Sequence, residues 1–204
     1  MRNSSSLYPS SGIPTDSGNF PAEQLLRRYA AALVRRLTLD EDSLAFYLSL
    51  LGDEELHALL ADLRARAPTA SGLTHLPSYD RRLIGHQLLN IVFDDTTSLM
   101  PSDFTEMLFE QFHHEEDELA PMGSLPPPAA ALVELMELSS AELAVLSFVF
   151  LLSVSSELER LFEAYATTRR PGFIALCTGL QVREVVELIS ETSRLYRLGL
   201  LVVV

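Results

Sequence analysis

The chain has 204 residues, 48% of them apolar and 21% charged, with a net charge of −13 at pH 7. That composition excludes a disordered chain and is sufficient for a buried core without disulfides or metals. Every basic residue is arginine, because lysine does not occur, and the acidic excess argues against general nucleic-acid binding, where basic side chains supply most of the affinity.

Residues 1–20 are rich in Ser, Pro and Gly, lack the apolar run of a secretory signal, and are expected to form a disordered tail. From Pro21 the spacing turns helical. Leu25, Leu26, Tyr29, Ala32, Leu33 and Leu37 recur at intervals of three and four, and Arg27, Arg28, Arg35 and Arg36 are read as an arginine stripe opposite them. Thr38 or Asp40 can cap a helix through Leu44 and Leu51, and Asp53 another through Leu56 and Leu63. Pro68, Gly72 and Pro77 break the pattern. Helices are then expected from Asp80 to about Phe93 and from Pro101 to about Glu116.

Four prolines and a glycine in residues 119–128 (LAPMGSLPPP in full) exclude a helix interior, so a linker is placed there. Beyond it, Ala129 to Leu138 forms a short helix, Ser139 or Ser140 caps an apolar helix to about Leu152, and Ser155 or Ser156 caps one to about Ala166. The apolar run Leu143 to Val154 is too short to span a bilayer and reads as a core helix, so no membrane association is expected. The single cysteine, Cys177, lies in an apolar helical pattern, which suits a reducing, cytoplasmic setting.

The last segment reads FIALCTGLQVREVVELISETSRLYRLGLLVVV. Phe173, Ile174 and Leu176 give a short helix and Gly179 a turn; Val182, Val185, Val186, Ile189 and Leu195 give a second helix ending near Gly199, and Leu200 to Val204 a strand. This order resembles the winged-helix superfamily. Together with LSSAELAVLSFVFLLSVSSELERLFEAY it is similar to the winged-helix-like region preceding the ATPase module of some bacterial AAA-type ATPases. The phosphate-binding loop G-x-x-x-x-G-K-[ST] is missing, since it requires lysine, so the resemblance implies no ATP hydrolysis. The expected fold is thus all-α: a tail at 1–20, an N-terminal helical bundle at 21–118, a linker at 119–128, and a winged-helix-like unit with a terminal strand at 129–204.

In DNA-binding winged helices the second helix offers polar and basic side chains to the major groove. Here Gln181, Arg183, Glu184, Glu187 and Glu191 stand at the corresponding exposed positions, and carboxylates facing phosphate are repelled. Nucleic acid is therefore not the expected partner; a protein is. The candidate partner-binding residues are Arg27, Arg28, Arg35, Arg36, Arg183, Glu184 and Glu187. The arginine pairs suit the chain's own carboxylates first, and an acidic partner helix second.

No catalytic, metal or cofactor site is expected. The run His113-His114-Glu115-Glu116-Asp117-Glu118 offers two helical ligands at best, whereas structural zinc takes four, so it reads as a solvated helix end. Asp94-Asp95 and Asp40-Glu41-Asp42 read as helix caps. His57 and His86 have no nucleophile tied to them by a motif. The leading functional expectation is a non-enzymatic adaptor or regulatory domain. Its rivals are a winged-helix transcription regulator using Arg169, Arg170, Arg183, Arg194 and Arg197, and an enzyme built around His57 and His86.

Overall fold

The computed structural model describes residues 21–66, 81–93, 99–112, 134–166 and 170–201, and every regular element among these is helical. The first five helices are α1 (Pro21–Val34), α2 (Glu41–Leu50), α3 (Asp53–Arg66), α4 (Arg81–Val92) and α5 (Pro101–Phe112). Then follow α6 (Ser140–Val154), α7 (Ser156–Ala166), α8 (Arg170–Thr178), α9 (Val182–Leu188) and α10 (Arg194–Arg197). The tail at 1–20, the linker at 119–128, Asp94-Asp95, the His113 to Glu118 run and Arg169 lie outside the described residues.

Local hydrogen bonds decide where these helices begin. At α2, Asp40 Oδ1 accepts from Ser43 N at 2.9 Å while Ser43 Oγ accepts from Asp40 N at 2.9 Å, a reciprocal cap that satisfies two backbone donors. The same device opens α6, where Ser139 Oγ accepts from Glu142 N and Glu142 Oε2 accepts from Ser139 N. Ser155 caps α7 by accepting from Leu158 N at 3.2 Å. For α3, Asp53 is the first helical residue rather than the cap; the Glu55 carboxylate reaches back to the Gly52 N–H at 2.6 Å.

Helix α1 is the hub, packing against α2, α5 and α8. Tyr29, Ala30, Ala31, Leu33 and Val34 are all buried, a spread too wide for a one-sided amphipathic helix. Around it, α2 also packs on α4 and α7, while α6, α7 and α8 pack on one another. An aromatic cluster joins that second group to the hub: Phe148 of α6 lies 5.9 Å from Tyr29, 5.6 Å from Phe162 and 6.2 Å from Phe173, ring centre to ring centre. The helices before and after residues 119–128 thus share one apolar core. Tyr165 adds a polar tie, its hydroxyl lying 2.5 Å from Thr38 O and 2.9 Å from Asp40 Oδ2.

Helix α6 is apolar around most of its circumference, and from Ala141 to Leu152 its residues are buried or half-buried. It turns through 111° into α7 at Ser155, and no single helix among the described residues is long and apolar enough to cross a membrane.

The C-terminal segment departs from the expected single long helix. It breaks after Leu188, with Ile189 at φ −94° and ψ 0°. Ser190 Oγ donates to Glu187 O and Ser193 Oγ accepts from Tyr196 N, so the Ser190-Glu191-Thr192-Ser193 run offers side-chain bonds that end α9 and cap α10. Helix α10 closes on Gly199 at φ +71°, with Gly199 N–H bonded to Tyr196 O and Leu200 N–H to Leu195 O. Leu200 and Leu201 therefore belong to a helix-ending turn, not to the start of the expected strand; residues 202–204 lie outside the described residues.

Candidate functional site

The four arginines read as one surface stripe have three different environments. Successive helical residues point about 100° apart, so Arg27 and Arg28 cannot share a face. Arg27 turns inward and is buried. Its Nη1 donates to Leu50 O at 2.8 Å and to Glu55 Oε2 at 3.0 Å, and its Nη2 to Glu55 Oε1 at 2.6 Å and to Gln111 O at 3.2 Å. One planar fork thereby joins α1 to the α2–α3 corner and to the end of α5, where its carbon also sits 5.5 Å from the Phe112 ring centre. The hydrogen bond from Arg27, with a further one from Gly52 N–H, holds the Glu55 carboxyl below its ordinary value of 4.5. Arg35 is exposed but engaged, forking onto Glu106 and stacking 3.4 Å above the Phe109 ring centre.

Arg28 and Arg36 face a cleft. With Ala32 between them, they occupy positions i, i+4 and i+8 and form one wall. Leu176 of α8, Leu180 of the Gly179 turn and Val182 of α9 form the opposite wall, and the open space measures about 780 Å3. Gly179, at φ +75° with its N–H bonded to Ala175 O, turns the chain sharply enough to set Leu180 and Val182 along this edge. Among the described residues lining the cleft none is acidic, although the chain carries a net charge of −13. The apolar edge continues one turn along α9, since Val182 is 53% exposed and Val186 46%. Isolated exposed valines are commonplace; a pair at i, i+4 beside a cleft is a coherent apolar edge.

The outer side of α9 has a different character. Arg183 Nε pairs with Glu187 Oε1 at 3.1 Å, so this arginine is locally neutralised, and Glu184 is half-buried beside it. Arg194 is likewise committed: its guanidinium donates to the carbonyls of Met136 and Glu137 and lies 3.6 Å from Glu142 Oε2. Of the arginines proposed for phosphate contact, these two are engaged within the chain.

The remaining candidates do not converge. His57 and His86 are exposed on α3 and α4, and the cleft is lined by neither. Cys177 is buried on α8 and burial raises its thiol well above the ordinary range, which makes it inert rather than nucleophilic. Among the described residues no group of His, Cys, Asp and Glu is arranged to hold a metal ion.

Sequence reasoning missed Ala32, Leu176, Leu180 and Val182. Ala32 was legible as the small residue flanked by arginines four positions away on each side. The others were assigned to the core, because hydrophobic periodicity cannot separate a buried stripe from the lip of a cleft. Compared with known protein families, curated sequences and solved structures, the chain matches none.

Proposed function

We propose that this protein is a non-enzymatic adaptor or regulatory domain that docks another protein at the cleft between α1 and the α8–α9 turn. The observation that carries this reading is the cleft itself, about 780 Å3 in volume, with an arginine wall and an apolar edge running out through Val182 and Val186. A concave apolar surface rimmed by polar groups is the usual form of a site that receives a side chain or a helix. Within this reading α8, the Gly179 turn and α9 act as the helix-turn-helix part of a winged-helix-like unit whose outward carboxylates disfavour DNA. A docking role also accords with the resemblance to regions that precede AAA-type ATPase modules.

A photo-crosslinking amino acid placed at Val186 tests the reading directly. Amine-directed reagents are poorly suited, since the chain has no lysine side chain. Specific crosslinks to a protein from native extract are expected, and they should be lost when Val182 is replaced by Asp. Crosslinking to none, accompanied by tight duplex binding that weakens steeply with salt, would replace the adaptor by a transcription regulator.

A further inference from the structure

We infer that the Val182–Val186 edge of α9 is where two copies of this chain meet, their α9 helices running antiparallel across a two-fold axis. The inference rests on the docking reading of that edge and names its occupant. When antiparallel helices are related by a two-fold axis, a residue meets the position equally far from the axis on the other helix, so a four-residue repeat matches itself. Val182, 53% exposed, then packs on Val186 of the second copy, and Val186, 46% exposed, packs on its Val182.

Arg183 and Glu187 follow the same rule. Each stands one residue, about 100°, round the helix from a valine, so the two charges run along one flank of the apolar pair. Within the chain Arg183 Nε meets Glu187 Oε1 at 3.1 Å, and both side chains are largely in water, 89% and 66% exposed. The antiparallel arrangement sets Arg183 against Glu187 of the second copy and Glu187 against its Arg183. One pair thereby becomes a ring of four alternating charges, with none unmatched. Parallel helices would set arginine against arginine. Glu184, half-buried, lies on the far side of α9 from the valines and takes no part.

Each copy carries a charge of −13, which opposes association at long range. That field is screened over about 8 Å at physiological salt, so the local pattern governs the contact. There α9 offers one arginine and one glutamate beside the valines, and the adjoining cleft has no acidic residue among its described lining. A foreign helix could match the valines equally well; a second copy is singled out because the edge is its own complement in shape and in charge. Four valines and their flanking charges bury far less than the roughly 1,600 Å2 of a standard stable complex, so the dimer is transient. Two copies joined there carry two clefts, and a partner with two binding segments gains by avidity.

The test is sedimentation velocity on the full chain at concentrations up to about 0.5 mM, as a transient contact requires. The native chain should shift toward a dimer as its concentration rises, and V182D should stay monomeric. R183E alone and E187R alone should each associate at least about fivefold more weakly, since each sets like charges face to face. An equimolar mixture of these two variants should regain association, because one brings two acids and the other two bases to the same flank. The double variant R183E/E187R should behave as the native chain, its reversed pattern still matching itself. Net charge alone predicts the opposite for E187R, which reduces the acidic excess. Circular dichroism keeps misfolding of the variants apart from loss of contact.

A native chain that stays monomeric over this range would overturn the inference; Val186 crosslinks to a different protein would then leave the docking reading standing. Association lost in V182D but unchanged in both single charge variants would overturn the antiparallel pairing. Association that persists in V182D would place the contact on another surface and overturn it as well. A monomeric native chain together with no Val186 crosslink would remove both readings.

Discussion

Arg27 and Arg28 are neighbours in sequence, yet one is a structural bolt and the other lines an open cleft. Arg27 is buried, with four hydrogen bonds from its guanidinium to Leu50, Glu55 and Gln111. Arg28, half-buried, is turned by about 100° toward the space shared with Arg36 and the α8–α9 turn. The contrast shows that a doubled arginine on a helix is not a unit of charge. Rotation by a single residue places one guanidinium in the core, where geometry and desolvation govern its worth, and the next at the surface, where ligands do.

The strongest way to break this comparison is Arg27→Ala. It would strand two backbone carbonyls and the Glu55 carboxylate, and should lower unfolding free energy by about 3 kcal/mol in urea titrations. Arg27→Lys should recover only part of this, since an ammonium cannot reproduce the planar fork. A loss below about 0.5 kcal/mol would show that Arg27 is no more structural than its neighbour.

Acid unfolding sharpens the same point. The folded Glu55 carboxyl lies below its unfolded value of 4.5, so its contribution is fully present above that pH and is lost as pH falls through the lower folded value. Arg27→Ala or Glu55→Gln should therefore flatten the stability decline below about pH 4.5, while Arg36→Ala should leave the slope unchanged.

Arg35 falls between the two extremes. Its pair with Glu106 is half-exposed on both sides, but the guanidinium also covers the Phe109 ring. Arg35→Ala should cost about 1 kcal/mol, and Arg35→Met less, because the methionine chain retains contact with the ring. The smallest effect belongs to Arg36→Ala, within about 0.5 kcal/mol of native by thermal or urea unfolding, as expected for a surface side chain outside the core. If Arg36 proved as costly as Arg27, the cleft would be a structural seam and not a docking site.

Cys177 offers an internal control for all of these variants. Its buried thiol should react with Ellman's reagent only upon unfolding, so slow native labelling certifies that a variant keeps the α1–α8 contact.

Much of the helical layout was legible from the sequence. Pro101 and the serine and aspartate caps marked the helix starts, because an orphan backbone N–H needs a nearby oxygen and these residues supply it locally. The break between α9 and α10 was not read correctly. Leu188 and Leu195, seven positions apart, keep an apolar spacing across it, and that spacing conceals that Ser190 and Ser193 spend their hydroxyls ending one helix and starting another. For the cleft, Arg28 and Arg36 were legible as candidate contacts, and the 100° helical step already separates them from Arg27 and Arg35; the pairing of those two with Glu55 and Glu106 was not legible.

The sequence by itself determined the mostly helical character of the described residues, most of the caps and the apolar positions, since each depends on residues within a turn or two of one another. Only the tertiary structure decided which arginines bridge distant helices and which line the cleft. Arg27 finds Glu55 twenty-eight positions away and Arg35 finds Glu106 seventy-one away, across helices whose packing no local rule encodes. The cleft likewise exists only because α8 and the Gly179 turn come to rest beside α1, and that placement follows from burial of the Phe148, Phe162 and Phe173 cluster against Tyr29 rather than from any motif.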